Sequence, residues 1–300
     1  MCIRDSARAA GITIDWDDFC ELSTAVPLLT RVYPNGVADV NHFHAAGGLA
    51  LVVRELLDAG LLHDDVKTML GDGLRRFCVE PFIADDKLEW RDGPTESLDK
   101  DIIAPVASPF DQEGGLRLVT GNLGRAVVKI SAVAEEYYSI TAPARVFTSQ
   151  DDFKRAFNEG ELDTDFVAVL ANQGPAAIGM PELHKLTPYL GLLQNRGFKV
   201  ALLTDGRMSG ASGKVLSAIQ ATPEAARGGA IGKVRDGDMI TICAVSGEMS
   251  AAVDDIDARD AGPDEIATHS VGIGRELFQA FRQRSTSAEE GASFFAGSES

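Results

Sequence analysis

The chain has 300 residues, of which 45% are hydrophobic, and its 45 acidic side chains against 28 basic ones give it a net charge of −17. Such a surface repels nucleic acid and anionic membrane, so we expect neither as a partner. No apolar run approaches the roughly 20 residues of a membrane span, and the length predicts one large domain or two ordinary ones.

The first residues, MCIRDS, have neither the apolar core of a signal peptide nor an amphipathic period. They run directly into sequence that is typical of the middle of a fold. We therefore interpret residues 1–6 as a junction artefact and expect the natural protein to begin well upstream.

The cysteines are Cys2, Cys20, Cys78 and Cys243, and no two of them form a CxxC pair. Their scatter argues against a disulfide framework and against a metal knuckle. The pattern is typical of a protein of the reducing cytoplasm.

The first strongly periodic segment is HFHAAGGLALVVRELLDAGLL, residues 42–62. It predicts a helix with Gly60 as its C-cap. Five residues are expected on its apolar face: Leu49, Val52, Val53, Leu56 and Leu57. The polar stretch 89–101 follows, and its turn-like composition predicts a linker.

Three further segments are assigned by their patterns. Residues 116–133 are rich in strand formers, interrupted by Gly121 and Gly124, and predict β-structure. Residues 234–253 predict hairpins with DG and SG turns. Residues 274–284 predict a terminal amphipathic helix.

The most regular segment predicts a strand, a helix and a second strand. The strands are residues 165–170 and 198–204, and the helix is residues 181–197, with Pro181 at its first position. Pro188 predicts a kink or a broken start. A βαβ unit has parallel strands, and ligands bind beyond their carboxyl ends.

Polar side chains follow both of these strands. Glu182 lies in the loop after the first, and the second is followed by TDGRMSGASGKV, residues 204–215. This loop is not a phosphate-binding P-loop, because the spacing before Gly213-Lys214 is wrong and Val215 follows. We expect Glu182 and Ser209 at one edge of the sheet, where they indicate an anion or metal site.

Plainer interpretations remain open for these residues. An acid such as Glu182 in a first helical turn complements the helix dipole. Ser209 and the dipeptide Asp205-Gly206 are ordinary turn residues.

The histidines give a weaker signal. His42 and His44 are two residues apart and are poorly aligned for one metal ion on either a strand or a helix. We interpret His184 and His269, which are isolated, as structural.

Several long motifs, in order, resemble one family. MPELHKL, TDGRMSGASGKV, TPEA, KVRDGD and TGNLGRAVVK resemble the dihydroxy-acid and sugar-acid dehydratases. YPNGVADVNHFHAAGG and LHKL are similar to the phosphogluconate dehydratase branch of that family. The resemblance extends from about Ala9 to the last predicted helix.

The resemblance implies the dehydration of 6-phospho-D-gluconate to 2-dehydro-3-deoxy-6-phosphogluconate in the Entner–Doudoroff pathway. It implies that Ser209 is the base that removes the C2 proton, helped by nearby metal charge and backbone N–H groups. It implies Glu182 as a Mg²⁺ ligand. Four residues are expected to contact substrate: Arg207, Gly210, Ser212 and Lys214. For Lys214 we expect a contact to the phosphate, the alternative being a solvated charge or structural ion pair.

The family also implies cofactors and a domain plan. It uses an iron–sulfur cluster, expected as 4Fe–4S rather than 2Fe–2S, together with Mg²⁺. None of the chain's cysteines stands at a cluster-ligand position of the family, so the cluster ligands are expected upstream. Residues 1–104 are then the end of an α/β cluster-bearing domain, and residues 105–300 a β-rich, barrel-like swivelling domain with flanking helices.

We therefore expect the chain alone to be inactive and the full-length protein to be a homodimer. Two alternatives remain open. One is a sister dehydratase that acts on dihydroxy acids or unphosphorylated aldonates. The other is a truncated product without catalytic function.

Overall fold

The computed structural model describes residues 2–208, 213–262, 272 and 274–294. The chain divides into two compact units. Residues 21–115 form the small unit, and residues 1–20 with 116–300 form the barrel unit. The domain boundary expected at residues 104–105 stays a prediction. Within the described residues no helix is both long and apolar enough to cross a membrane.

The small unit contains two helices and two short hairpins, and helix α2 (Trp16–Ala25) crosses into it. Its other elements are α3 (Val40–Ala45), α4 (Gly48–Asp58), β1 (Lys67–Thr68), β2 (Gly71–Asp72), β3 (Val79–Ala84) and β4 (Lys87–Asp92). The linker expected at residues 89–101 is wrong for its first four residues, because Glu89 to Asp92 pair antiparallel with β3.

Helix α4 ends where the sequence predicted. Gly60 has a φ of +71°, and the Leu61 N–H donates to the Leu56 carbonyl at 2.8 Å, as in a glycine-terminated helix. The predicted apolar face is wrong at Leu49, which is 62% exposed, whereas Leu51 is buried. Gly47 and Gly48, both with positive φ, separate α3 from α4 at the start of α4. The buried face of α4 therefore includes Leu51 in place of Leu49.

The barrel unit is built around a closed eight-stranded sheet. Its helices are α1 (Cys2–Ala9), α5 (Gln150–Asn158), α6 (Leu186–Asn195) and α7 (Gln279–Arg284). Its strands are β5 (Leu116–Gly121), β6 (Gly124–Lys129), β7 (Ser139–Val146), β8 (Phe166–Leu170), β9 (Val200–Thr204), β10 (Ser217–Thr222), β11 (Met239–Cys243) and β12 (Glu248–Ala251). Their order around the barrel is β10-β6-β5-β12-β11-β7-β8-β9, which confirms the expected β-rich, barrel-like fold with flanking helices.

Four neighbouring strands, β7 to β10, run parallel. The strand, helix and strand of β8, α6 and β9 confirm the predicted βαβ unit. Alternate residues serve two cores: Val167 and Val169 of β8 point into the barrel, whereas Phe166 packs against the layer that contains α5 and α6. Both faces of β8 are therefore buried, and its sequence is continuously apolar.

Helix α6 is shorter than predicted. It begins at Leu186, so Pro181 is not its first residue and Pro188 lies in its first turn. The broken start is confirmed, and the expectation that Glu182 lies in a helical turn is wrong. Helix α7 likewise covers only the second half of the predicted segment.

Residues near the start of the chain pack on the barrel. The Arg4 guanidinium lies 3.6 Å from the centre of the Trp16 ring and donates to the Gln220 side chain at 2.8 Å. The interpretation of residues 1–6 as an artefact stays a prediction.

Candidate functional site

The site lies at the carboxyl ends of β8 and β9, where the two strands finish level. Leu170 pairs with Thr204, and the Thr204 hydroxyl donates to the Leu170 carbonyl at 2.7 Å. The same hydroxyl oxygen accepts from the Gly206 N–H at 2.9 Å. The loops that follow β8 and β9 therefore begin side by side at the same edge of the sheet, where parallel sheets bind their ligands.

The loop after β8 returns to lie beside the loop after β9. Glu182 and Arg207 form an isolated parallel bridge, in which the Leu183 N–H donates to the Arg207 carbonyl at 3.0 Å. The Arg207 Nε donates to the Met180 carbonyl at 2.9 Å. The two loops therefore lie side by side at Glu182 and Arg207, and the expected proximity of Glu182 and Ser209 stays a prediction.

The other predicted site residues are placed only in part. Ser209, Gly210 and Ser212 lie outside the described residues. Lys214 is exposed, and its carbonyl accepts from the side chain of Gln194, near the end of α6, at 3.2 Å. The expected contact of Lys214 to the substrate phosphate stays a prediction.

Asp205 joins three segments of the site and is fully buried. Its carboxylate accepts backbone N–H groups from Gln173 at 2.8 Å, Ala225 at 3.0 Å and Asn172 at 3.1 Å. Asp205 therefore fixes the end of β9 to the loop after β8 and to the turn after β10. This role goes beyond that of an ordinary turn residue, the plainer interpretation of Asp205-Gly206.

Glu224 is a second buried carboxylate of this kind. It accepts the N–H of Ala176 at 3.0 Å and that of Ala177 at 3.4 Å, and it pairs with Arg227 at 3.3 Å. Gly174 approaches so closely that an added Cβ would overlap the Glu224 carboxylate. The loop that carries Glu182 is thus held by two acids from outside it.

Burial controls the titration of both acids. Desolvation raises the pKa of Asp205 against the N–H bonds that lower it. Desolvation, with the nearby charge of Asp205, also raises the pKa of Glu224. A carboxyl group whose pKa is raised by folding makes its largest contribution to stability at pH values below its pKa in the unfolded chain, which is about 4. This contribution is lost as the pH rises through the pKa of the folded state.

A cavity of about 820 Å³ opens beside these loops within the barrel unit. Asn172 and Pro181 of the loop after β8 line it, as do Lys185 and Arg235. Asn172 has a φ of +59°, a left-handed conformation that is uncommon for residues other than glycine and that clusters at functional sites. The cavity has the size of a small-molecule pocket.

The sequence contained signals for the residues that were missed. Asp205 directly follows the buried strand β9. It therefore lies at the carboxyl edge of the sheet, where parallel sheets bind ligands. Glu224 and Arg235 lie in the quoted motifs TPEA and KVRDGD, but pattern alone gave them no role.

The described residues do not form a complete metal or cluster site. They contain no group of three or more His, Cys, Asp or Glu side chains that could hold a metal ion. His42 instead pairs with Asp39 at 2.8 Å on α3. Cys20, Cys78 and Cys243 are unpaired, so no step is assigned to a cluster held by this chain.

Glu182 is the side chain that fits a cation. Its carboxylate is half-buried, and no hydrogen bond or ion pair to it is found in the described part of the chain. A carboxylate of this kind has the chemistry of a Mg²⁺ ligand, and the expected role of Glu182 as such a ligand stays a prediction.

Comparison with known proteins defines the class. Residues 101–292 match the family model "Dihydroxy-acid/6-phosphogluconate dehydratase C-terminal", and residues 3–77 match its N-terminal counterpart. The chain therefore belongs to the dihydroxy-acid/6-phosphogluconate dehydratase family, which confirms the resemblance.

Individual relatives refine the comparison. The chain is 56% identical over 291 residues to a phosphogluconate dehydratase of Pseudomonas aeruginosa, covering 96% of this chain and 48% of the relative. It is 55% identical over 288 residues to that of Escherichia coli K12, covering 95% and 48%. A dihydroxy-acid dehydratase of Dinoroseobacter shibae is 37% identical over 268 residues, covering 86% and 44%. The chain spans about half the length of these relatives.

Proposed function

We propose that this chain belongs to an enzyme about as long as its relatives, which dehydrates 6-phospho-D-gluconate to 2-dehydro-3-deoxy-6-phosphogluconate. The observation that supports this most is 56% identity to a phosphogluconate dehydratase across 96% of the chain. Identity to the dihydroxy-acid dehydratase is 37%, which makes that activity the second candidate.

In the proposed reaction, Ser209 takes the proton from C2 of the substrate. It follows Arg207 by two residues, and the bridge between Arg207 and Glu182 would present both loops to one substrate. Asp205 and Glu224 hold the loops without contacting substrate. A positioned base of this kind contributes about 10²–10⁴ in rate.

The cofactors proposed are an iron–sulfur cluster and Mg²⁺. When bound, they would supply Lewis acidity at the leaving hydroxyl and at the substrate carboxylate. Glu182 would contribute one oxygen to the Mg²⁺, and the remaining ligands would lie outside the described residues. We also propose a reducing cytoplasmic location, which the scattered cysteines of the sequence indicate.

A substrate panel tests the proposed activity. The full-length enzyme is assayed with 6-phosphogluconate, gluconate and 2,3-dihydroxyisovalerate, and we expect the largest kcat/KM for 6-phosphogluconate. A preference for the branched dihydroxy acid would establish the second candidate. Absence of turnover with all three would support a non-catalytic product.

Glu182→Gln should weaken Mg²⁺ binding by about tenfold or more, because the amide removes the negative charge that binds a hard cation. Calorimetric titration of the full-length protein with Mg²⁺ measures this without relying on turnover. Glu135→Gln, which changes an exposed acid of the same unit, is the control. Identical titrations of the two variants would show that Glu182 is not a ligand.

A further inference from the structure

The cavity of about 820 Å³ in the barrel unit suits a polar ligand group without charge. Two acids and two bases are among the residues that line it: Asp151, Lys185, Arg235 and Asp236. Their formal charges cancel, and the Lys185 ammonium lies 3.2 Å from the Asp151 carboxylate. The lining therefore gives no charge-based preference for a phosphate or a carboxylate. Hydroxyl groups, which are polar and uncharged, fit it better.

Asn172, which lines this cavity, has its backbone fixed in an uncommon conformation. It has a φ of +59° and follows the end of β8 by two residues. Its N–H donates to the Asp205 carboxylate at 3.1 Å, and its carbonyl accepts from the Gln173 side chain at 3.3 Å. Both backbone groups of Asn172 are therefore engaged by the protein.

The Asn172 side chain, in contrast, is available to a ligand. The hydrogen bonds of Asn172 in the described part of the chain are made by its backbone, and none is made by its carboxamide. Other polar side chains of the lining are engaged: Ser149 caps α5, Gln150 accepts a backbone N–H at 3.0 Å, and Gln173 donates to carbonyls of its own loop. Asn172 therefore offers an acceptor oxygen and an NH₂ donor at the cavity.

Backbone conformation alone does not account for an asparagine at position 172. A left-handed φ is open to glycine at no steric cost, although asparagine is several-fold enriched among the other residues that adopt it. Residues other than glycine that are held in this conformation cluster at ligand sites, where their surroundings fix them. Here the hydrogen bond to Asp205 fixes the backbone, so the side chain is held in place for a ligand.

The position of the cavity links it to the proposed reaction site. Pro181 lines the cavity and directly precedes Glu182. A sugar acid whose carboxylate end is bound at Glu182 has further hydroxyl groups, on C4 and C5, to place nearby. A short acid such as 2,3-dihydroxyisovalerate has no hydroxyl group beyond C3.

We propose that the Asn172 carboxamide binds the C4 and C5 hydroxyl groups of a sugar acid and so makes the site selective for sugar acids over short dihydroxy acids. An amide can donate to one hydroxyl group and accept from its neighbour at the same time. The substrate class rests on the proposed function, which this inference deepens by assigning a specificity-determining residue.

The test compares 6-phosphogluconate with its 4,5-dideoxy analogue, which differs only by the two hydroxyl groups. The full-length enzyme should prefer 6-phosphogluconate by about 10- to 100-fold in kcat/KM, the range of two neutral hydrogen bonds. In Asn172→Gly this preference should fall to about threefold or less, mainly through a higher KM for 6-phosphogluconate. Dissociation constants from titration calorimetry replace kcat/KM for an acid that is not turned over.

Asp86→Gly is the matched control, because Asp86 has a φ of +58° in the exposed turn between β3 and β4 of the small unit. It should keep the parent's preference. Asn172→Gly should melt near the temperature of the parent, since glycine adopts the left-handed φ at no steric cost. A loss of preference in Asn172→Gly is then a loss of substrate contact and not of the fold.

The proposal is overturned if Asn172→Gly keeps the parent's preference, because Asn172 then serves only the backbone. It is equally overturned if the parent does not distinguish the two acids. If the enzyme acts on unphosphorylated sugar acids instead, gluconate and its 4,5-dideoxy analogue replace the pair. Discrimination that depends on Asn172 in that second pair leaves this inference intact although the proposed function has failed.

Discussion

Ser209→Ala should lower kcat of the full-length enzyme by roughly 10²–10⁴, the usual contribution of a positioned general base. Substrate affinity should change little, because the Ser209 side chain acts on the C2 proton during the reaction and does not bind the substrate carboxylate. The direct observable is the exchange of the substrate C2 proton with solvent, which should slow by the same factor.

Ser246→Ala provides a control of the same local type. Ser246 is an exposed serine in the turn between β11 and β12, and in the sequence it is followed by a glycine, as Ser209 is. This variant should turn over normally. If Ser209→Ala also retains normal turnover and exchange, Ser209 is only a turn residue.

Asp205→Ala should lower the free energy of unfolding by about 3 kcal/mol or more. The variant leaves the N–H groups of Asn172, Gln173 and Ala225 without their acceptor, and each unsatisfied buried group costs about 1–3 kcal/mol. Chemical denaturation monitored by circular dichroism measures the change. Asp205→Asn should show an intermediate loss, because it keeps one of the two acceptor oxygens.

Asp254→Ala is the control for this prediction. Asp254 is an exposed acid of the same unit, and such substitutions usually change stability by about 0.5 kcal/mol or less. An equal and small effect in both variants would contradict the clamp role of Asp205. A stable Asp205→Ala protein could not be reconciled with the three hydrogen bonds.

The elements that the sequence predicted correctly depend on local or periodic information. The predicted strands at residues 165–170 and 198–204 contain the short apolar runs FVAVL and VALL, which are typical of strands buried on both faces. Gly60 is a local signal because its left-handed conformation is available to glycine at little cost. The topology of a βαβ unit also predicted that the loops after its two strands meet at one edge of the sheet, as the bridge between Glu182 and Arg207 shows.

The errors arise where tertiary contacts replace local pattern. Leu183 keeps helical spacing with Leu186 and is fully buried, yet it belongs to the loop because its N–H binds Arg207 rather than a preceding turn. Strand β4 is exposed along its whole length, so its sequence has no apolar alternation to detect.

The roles of the buried acids could not be predicted from the sequence. Asp205 is a clamp because three N–H groups from two separate segments, residues 172–173 and Ala225, converge on it, and this convergence is a property of the fold.

The most direct test of the proposed function is a product measurement. The full-length enzyme, prepared anaerobically with iron, sulfide and Mg²⁺, is given 6-phosphogluconate in heavy water, and the product is analysed by mass spectrometry and NMR. The account predicts 2-dehydro-3-deoxy-6-phosphogluconate, formed with loss of one water and of the original C2 proton. Unchanged 6-phosphogluconate from an enzyme that dehydrates another sugar acid or a dihydroxy acid would contradict it.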